Sequence, residues 1–142
     1  MSSPPATPDF VADGMVTTIS RHSVPDLVDY LVEFLEGKGV TVFARIDHAA
    51  HAASVGLSLR PTELLIFGDP AVGTELMMDR QEIGLDLPMK ALAWQDENGE
   101  TWLTYDDGVW LAKRHRLGPH HAATLQAVEV FMSSIARTAT QG

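Results

Sequence analysis

A β-hairpin signal in residues 89–107, MKALAWQDENGETWLTYDD, restricts the possible folds more than any other segment. Asn98 and Gly99 form a preferred pair for a two-residue hairpin turn, because both central residues of such a turn need a positive φ angle. Apolar and polar residues alternate on both sides, as strands with unlike faces require. A two-residue turn places two apolar pairs face to face: Trp94 with Leu103, and Leu92 with Tyr105. The chain is therefore predicted to contain neighbouring antiparallel strands.

The N-terminal part of the chain has the pattern of a strand, an amphipathic helix and a second strand. GMVTTIS, residues 14–20, is rich in the β-branched residues typical of a short strand. The helix that follows has Ser23 as its N-cap with Asp26 three residues later. Its apolar residues recur at helical spacing: Leu27, Leu31, Phe34 and Leu35. VTVFARID, residues 40–47, alternates as a second strand should.

The remaining segments predict short helices between strands and two helices at the end. Residues from about Ala49 to Val55 form a short Ala-rich helix in this interpretation. The run LLIF within residues 62–68 is continuously apolar, which is typical of a central strand covered on both faces. Asp69 then caps a helix whose first residue is Pro70. After the hairpin come a short helix and a long terminal helix with one stripe: His121, Leu125, Val128, Met132 and Ile135.

Length and composition indicate one ordinary globular domain. The 142 residues are enough to bury a hydrophobic core without metal or disulfide cross-links. No apolar run approaches the roughly 18 residues that a membrane span needs. Residues 1–13 lack the features of a secretory signal, and their Pro and Ser content predicts a flexible arm. With no cysteine in the chain, a cytoplasmic location is expected, and with no long apolar run, no membrane partner is expected.

The charge of the chain argues against nucleic acid as a partner. The formal net charge is -9, whereas nucleic-acid binding draws most of its affinity from clustered Lys and Arg. The charge is uneven, because residues 109–142 hold four basic residues and only one acidic residue, Glu129. This basic C-terminal segment is expected to be attracted to the acidic remainder of the domain.

The segment FGDPAVGTEL, residues 67–76, has the order of strand, glycine-rich loop and helix found in phosphate-binding loops. Gly68 and Gly73 have the right separation. Thr74 replaces the lysine of that motif, and Asp69 would put a negative charge beside the phosphates. A nucleotide site is therefore not predicted. The helix start could still hold a small anion through free backbone N–H groups.

The stretch RIDHAAHAAS, residues 45–54, contains the residue most suited to acid-base chemistry. Histidine is the residue type best suited to act as acid or base near neutral pH, and Asp47 could orient the ring of His48 at the end of a strand. His51 projects from the same helical face, so the two imidazoles could begin a metal site. Further ligands would come from Asp47 or from histidines at no diagnostic spacing: His115, His120 and His121. No metal is therefore assigned, and His48 and His51 are the residues from which a site would start.

Aromatic residues are concentrated around the hairpin and the helix after it. They are Trp94, Trp102, Tyr105 and Trp110. Packing in the core or at a dimer interface is favoured over a ligand pocket, because a sheet with helices on one face leaves its other face to be covered.

Several blocks together resemble the family known as domain of unknown function 302. They are RPTELLIFGDP, GT-LM and GLDLP-K-L-W, preceded by Ile-Asp-His-Ala-Ala. The resemblance runs from about Gly14 to Tyr105 and is strongest in residues 60–96. The family usually has asparagine where this chain has Asp69, and a small residue where it has His51.

The resemblance adds to the choice of candidate residues. The departure at His51 weakens a two-histidine metal site and leaves His48 as the residue to single out. Longer members of the family are similar in the tail as well, which adds Arg114 and His115 as candidates. The resemblance implies a compact α+β domain that commonly pairs into a homodimer, and it implies no established reaction, substrate or cofactor.

The sequence thus predicts a single α+β domain with one mixed or antiparallel sheet backed by helices. The element order is β-α-β-α-β-α-β-β-α-α. A flexible arm of residues 1–13 precedes the domain, 14–142, which has a family-like core at about 14–105 and a helical extension at 106–138.

Three hypotheses for function follow. The first is a small-molecule or anion binding domain with a polar pocket around His48, to which Asp47, Arg45, Arg114 or His115 would contribute. The second is an enzyme with His48 as general base, with or without the assistance of a metal bound through His51. The third is a structural or partner-binding homodimer. No cofactor is indicated.

Overall fold

The computed structural model describes residues 9–141, which contain six strands, five α-helices and one 3₁₀ helix. The strands are β1 (Asp9–Ala12), β2 (Met15–Ser20), β3 (Thr41–Asp47), β4 (Thr62–Gly68), β5 (Met89–Gln95) and β6 (Thr101–Asp106). The helices are α1 (Val24–Gly37), α2 (His48–Ser54), α3 (Pro70–Asp79), α4 (Gly108–Arg114) and α5 (Pro119–Gln141), and the 3₁₀ helix is Gln81–Leu85.

The six strands form one antiparallel sheet in the order β1-β2-β6-β5-β4-β3. The predicted α+β fold, with one sheet backed by helices, is confirmed, and the predicted elements follow one another in the predicted order from β2 to α5. Strand β1 is an addition, because Asp9–Ala12 lies in the segment predicted as a flexible arm and pairs with β2. An open sheet edge offers unpaired backbone groups to any extended segment, whatever its composition. Residues 1–8 of the predicted arm lie outside the described range.

Helices α1, α3, α4 and α5 and the 3₁₀ helix pack on one face of the sheet. Along β4, Glu63, Leu65 and Phe67 are buried, whereas Leu64 and Ile66 are half-buried. Leu65 and Phe67 belong to the buried cluster shared with the helices, whereas Leu64 and Ile66 lie on the other face and do not. The prediction that β4 is covered on both faces is therefore wrong for this chain. An antiparallel sheet can leave one face without helices, and apolar side chains on that face then pack against their cross-strand neighbours.

The core lies between this face and the helices. Helix α1 buries a stripe at helical spacing: Val24, Leu27, Val28, Leu31 and Leu35. Its predicted cap is confirmed, since Ser23 Oγ accepts a hydrogen bond from the backbone N–H of Asp26 at 3.3 Å. The predicted start of α3 is confirmed in the same way by Asp69, whose carboxylate accepts from Ala71 N at 2.9 Å. Each cap of this kind contributes about 1 kcal/mol.

Strand β3 forms one edge of the sheet and contains an irregularity. Val42 pairs with Phe67 and Ala44 pairs with Ile66, so the pairing shifts between Val42 and Ala44. Phe43 is the extra residue of this bulge, and its side chain is 49% exposed. A bulge bends its strand and redirects the side chain it carries.

The hairpin between β5 and β6 has a three-residue loop. Asp96 N donates to Glu100 O at 2.8 Å, and Gly99 takes a φ of 81° within the loop. Trp94 consequently lies opposite Trp102. The predicted register, with Trp94 opposite Leu103, is wrong by one residue. The same shift places Leu92 opposite Thr104 rather than Tyr105.

The side chain of Asp96 explains the longer loop. Its Oδ1 accepts from the backbone N–H groups of Asn98 and Glu100, each at 2.9 Å, and its Oδ2 accepts from Trp102 Nε1 at 2.9 Å. Aspartate side chains commonly compete for backbone donors in turns. Three such bonds favour this loop over the two-residue turn. A shift of one residue in strand pairing changes which side chains meet on each face.

Candidate functional site

His48 is the first residue of α2 and directly follows β3. It is half-buried, and His51 is exposed one turn later. Asp47 Oδ1 accepts a hydrogen bond from Ala50 N at 2.9 Å, so this carboxylate caps the helix. Within residues 9–141 there is no group of three or more His, Asp or Glu side chains arranged to hold a metal ion. The roles proposed for His48 and Asp47 therefore stay predictions.

Arg45 joins α1 to the sheet. Its Nε donates to Glu63 Oε1 at 2.7 Å, its Nη1 to Asp29 Oδ1 at 2.6 Å and its Nη2 to Pro25 O at 3.3 Å. The hydrogen bond to Glu63 is the main reason that the pKa of Arg45 is raised above its ordinary value, while burial acts in the opposite direction. Every nitrogen of this guanidinium thus has an acceptor within the chain. The structure gives Arg45 a role in holding the fold together.

Arg114 and His115 meet the same carboxylate at the end of α4. Arg114 Nη1 donates to Asp86 Oδ2 at 3.1 Å, and His115 Nε2 lies 2.5 Å from the same oxygen. The guanidinium carbon of Arg114 also lies 5.6 Å from the centre of the Trp110 ring. Arg114 belongs to the basic C-terminal segment and Asp86 to the acidic remainder of the domain, so this ion pair is an instance of the attraction expected between them.

Asp106 belongs to the same electrostatic environment. Burial raises the pKa of Asp106 above its ordinary value, and the charge of Asp86 acts in the same direction. The positive charges of Lys90 and Arg114 oppose that rise. The charge of Arg114 is therefore shared between two carboxylates.

The predicted polar pocket is divided between the two ends of the sheet. His48 follows the end of β3, beside the start of β4. Arg114 and His115 follow β6 at the opposite end, and Asp86 precedes β5 at that same end. A seven-residue strand spans roughly 20 Å. The structure brings Asp47 beside His48 and brings Arg114 beside His115, but it does not bring the two pairs together.

A cavity of about 610 Å³ opens between α3, α5 and the end of β4. Most of its lining is apolar and includes Phe43, Val72, Met77, Leu87, Val128 and Phe131. Ligand sites are commonly apolar cavities of about 300 to 1,000 Å³ with a few polar groups. Here the polar side chains are Lys38, Asp69, Thr74 and Thr124. The cavity therefore has the size and the lining of a small-molecule site.

This cavity was not predicted from the sequence, because its lining comes from segments far apart in the chain. Two local signals pointed towards it. The segment from Phe67 to Leu76, which has the strand, loop and helix order of a phosphate-binding loop, borders the cavity. Val128, from the apolar stripe of α5, lines the cavity. Phe131 lies beside that stripe and also lines the cavity, so the apolar surface of α5 is wider than a single row facing the core.

The open face, meaning the sheet face opposite the helices, carries rows of mostly apolar side chains. Paired residues across the strands form two of these rows: Ile46, Leu64, Leu92, Thr104 and Thr17; and Thr62, Trp94, Trp102 and Ile19. Thr17 and Trp102 are buried, and the other residues of these rows are half-buried. Tyr105 is buried on the helical face, and Trp110 lies on α4. The four aromatics therefore do not line one pocket.

Together these features define a single α+β domain with an antiparallel sheet, an open sheet face and an apolar cavity at one sheet end. The chain belongs to the family described as domain of unknown function DUF302, which it matches over residues 16–135. The match reaches beyond Tyr105 and includes α4 and most of α5. A crystal structure of an uncharacterized conserved DUF302 protein from Bacillus stearothermophilus has the same fold, with a TM-score of 0.75 and 18% identity. The alignment covers 91% of this chain and 97% of that one.

The chain is also similar to part of larger curated proteins. It is 46% identical over 124 residues to proteins named fluoride-specific ion channel FluC 1 in Brucella suis and FluC 2 in Brucella melitensis. The match covers 87% of this chain, 49% of the first relative and 46% of the second. This chain thus spans about half the length of these relatives. None of the helices within residues 9–141 combines the length and the hydropathy of a membrane-spanning segment.

Proposed function

We propose that the chain is a small-molecule binding domain whose ligand occupies the cavity between α3 and α5. The observation that supports this proposal is the cavity itself, with about 610 Å³ of space and a mainly apolar lining. The proposal keeps the predicted class of function but places the ligand at the sheet end opposite His48. A cytoplasmic location is part of the proposal and rests on the absence of cysteine.

The lining indicates the chemical class of the ligand. Water needs two to four polar partners to occupy a cavity stably, and this lining offers few. Met77 can adapt its flexible side chain to irregular shapes. Lys38 and Asp69 supply one charge of each sign. These properties favour an organic molecule with an apolar body, a small polar group and little net charge.

A cavity-filling variant tests the proposal. The probe is N-phenyl-1-naphthylamine, an uncharged dye whose fluorescence rises in apolar surroundings. Val128→Trp places a large ring among the lining residues and should weaken dye binding at least about tenfold. Val130→Trp is the matched control, because Val130 lies on the same helix, is 67% exposed and does not line the cavity. Equal affinity of the wild type and both variants would rule out the cavity as the binding site.

A second function is favoured by the similarity to the Brucella channels. We infer that this domain acts together with a fluoride channel. The support is that a related segment makes up about half of the proteins named fluoride-specific ion channels. Deletion of this chain in its host should then lower the fluoride concentration that stops growth. Complementation with the wild type and with Val128→Trp would show whether the effect depends on the cavity, and unchanged fluoride resistance on deletion would contradict the inference.

We also propose that the chain forms a homodimer through the open face. The half-buried apolar side chains of Leu64, Ile66 and Leu92 on adjacent strands support this arrangement. Light scattering should give the mass of a dimer for the wild type and of a monomer for Leu92→Asp. Leu57→Asp, at a residue that is 67% exposed outside the sheet, should remain dimeric. A monomeric wild type at all concentrations would exclude this arrangement.

A further inference from the structure

We infer a second ligand site, for a small oxyanion, in the cleft between the 3₁₀ helix and the end of α4. The cleft has a volume of about 430 Å³. Its lining residues are Arg80, Glu82, Leu85, Arg114, His115 and Arg116. Three of the ten Lys and Arg residues of an acidic chain thus face one cleft. None of the lining residues belongs to the apolar cavity, so the inference does not depend on the function proposed for that cavity.

Two of the three guanidinium groups have no acceptor within the described part of the chain. Arg114 donates to Asp86, and His115 contacts the same carboxylate. The side chains of Arg80 and Arg116 make no hydrogen bond or ion pair with any residue in 9–141. Asp86 is therefore occupied by Arg114 and His115, and the positive charge of the other two arginines is opposed within the cleft only by Glu82.

The backbone at the end of α4 brings two of these arginines to the cleft. Arg116 has a φ of 54°, a left-handed conformation that glycine usually adopts after a helix. The N–H of Arg116 bonds to Lys113 O at 3.2 Å, and the N–H of Leu117 bonds to Ala112 O at 3.1 Å. These bonds satisfy carbonyl groups at the helix end and reverse the chain direction. Arg116 and Arg114 consequently line the same cleft.

The chemistry of the lining specifies the ligand class. Guanidinium groups present a planar set of N–H donors that matches pairs of anionic oxygens in phosphate and carboxylate groups. The cleft is larger than a single phosphate, so it can accept the anionic group together with a small organic part. Arg80 and Arg116 are exposed. Binding at such a position is weakened by salt, because exposed charges are screened.

Titration of the full chain at low ionic strength tests the inference. The probes are inorganic phosphate and malonate, and binding is followed through backbone amide chemical shifts. Arg80→Gln and Arg116→Gln should each weaken binding about tenfold, since hydrogen bonds to charged groups are the strong ones. Lys113→Gln is the control, because it removes one positive charge from the same helix without altering the lining. Its affinity should stay within about twofold of the wild type.

Each outcome of this titration is informative. Tighter binding of phosphate assigns the site to phosphate groups, and tighter binding of malonate assigns it to carboxylates. Failure of both anions to saturate the protein would overturn the inference. An equal loss of affinity in Lys113→Gln and Arg80→Gln would overturn it as well, because the attraction would then come from the general charge of the segment. Arg80→Gln alters an exposed side chain and keeps the test valid if the Arg116 variant unfolds.

Discussion

Trp94 and Trp102 stack across the β5–β6 hairpin with their ring centres 6.3 Å apart and their planes inclined by 28°. Each indole has its own acceptor: Trp94 Nε1 donates to Thr104 Oγ1 and Trp102 Nε1 donates to Asp96 Oδ2, both at 2.9 Å. Trp102 is only 2% exposed. The Asp96 carboxylate thus stabilises both the buried Trp102 indole and the conformation of the hairpin loop.

Asp96→Ala should destabilise the protein by about 2 to 4 kcal/mol, because it leaves the Trp102 indole and two backbone N–H groups without their acceptor. The measurement is urea unfolding followed by circular dichroism. Glu97→Ala, at an exposed residue of the same loop, should change the free energy of unfolding by less than about 0.5 kcal/mol. Similar losses for the two variants would show that the Asp96 hydrogen bonds contribute little.

Gly14→Ala should destabilise the fold by more than about 2 kcal/mol. Gly14 has a φ of +80°, and an added Cβ would lie 2.3 Å from Cδ2 of Trp110. Gly39→Ala is a matched control, because Gly39 has a φ of +76° with no atom within 4 Å of the added Cβ. Gly39→Ala should lower the free energy of unfolding by roughly 1 kcal/mol, because it adds only the backbone strain of a positive φ angle and no steric clash. Equal losses in thermal unfolding would mean that Trp110 moves aside freely.

Glu129→Gln should raise the melting temperature slightly at neutral pH. Burial raises the pKa of Glu129, and Asp107 adds to that rise, whereas the hydrogen bond from Gly108 N opposes it. A raised pKa means that the folded state binds the proton more tightly than the unfolded chain. The stability from protonation is present below the ordinary glutamate pKa of about 4.3 and is lost as the pH rises through the folded-state pKa.

The pH dependence of the stability difference distinguishes the burial of the Glu129 carboxylate from the general effect of removing one negative charge. Glutamine can still accept the bond from Gly108 N, which Glu129 Oε1 accepts at 3.0 Å. The difference between variant and wild type should therefore be largest near pH 7 and disappear near pH 4. Glu33→Gln, at an exposed position on α1, should show no such trend. A Glu129 variant that is less stable than the wild type at pH 7 would refute this account.

His48→Ala should leave dye binding in the apolar cavity unchanged, because His48 lies at the other end of the sheet. The same variant tests the general-base hypothesis in a substrate screen. An enzyme using His48 would lose turnover on substitution, and its wild-type rate would fall at acid pH, where protonation removes a general base. Loss of dye binding in this variant, with unchanged unfolding, would return the ligand site to His48.

Features of the fold that depend on neighbouring residues could be predicted from the sequence. Ser23 and Asp69 mark helix starts because their side chains bond to backbone groups two or three residues away. The hairpin was predicted, but its register was not. The register depends on a bond between Asp96 and Trp102, which lies on the far strand. The turn propensity of Asn98 and Gly99 does not indicate that this hydrogen bond forms, so it does not predict the register.

The candidate sites could be predicted only in part for a similar reason. Arg114 and His115 were identified from the sequence, but their common partner Asp86 lies 28 and 29 residues earlier in the chain. Arg80 and Arg116 gained significance only when the fold brought them to one cleft. The segment 67–76 and the apolar stripe of α5 each mark one wall of the apolar cavity, but neither predicts the cavity, because its walls come from both halves of the chain.

The bulge at Phe43 affects both the apolar cavity and the edge of the sheet. Phe43 lines the apolar cavity, so the shape of that cavity depends on the extra residue in β3. The same kink lies on a strand at the border of the sheet, where a straight, regular strand would offer a template for another chain to add to. Removing the extra residue would thus both reshape the cavity and leave β3 as a straighter edge to which another strand could add.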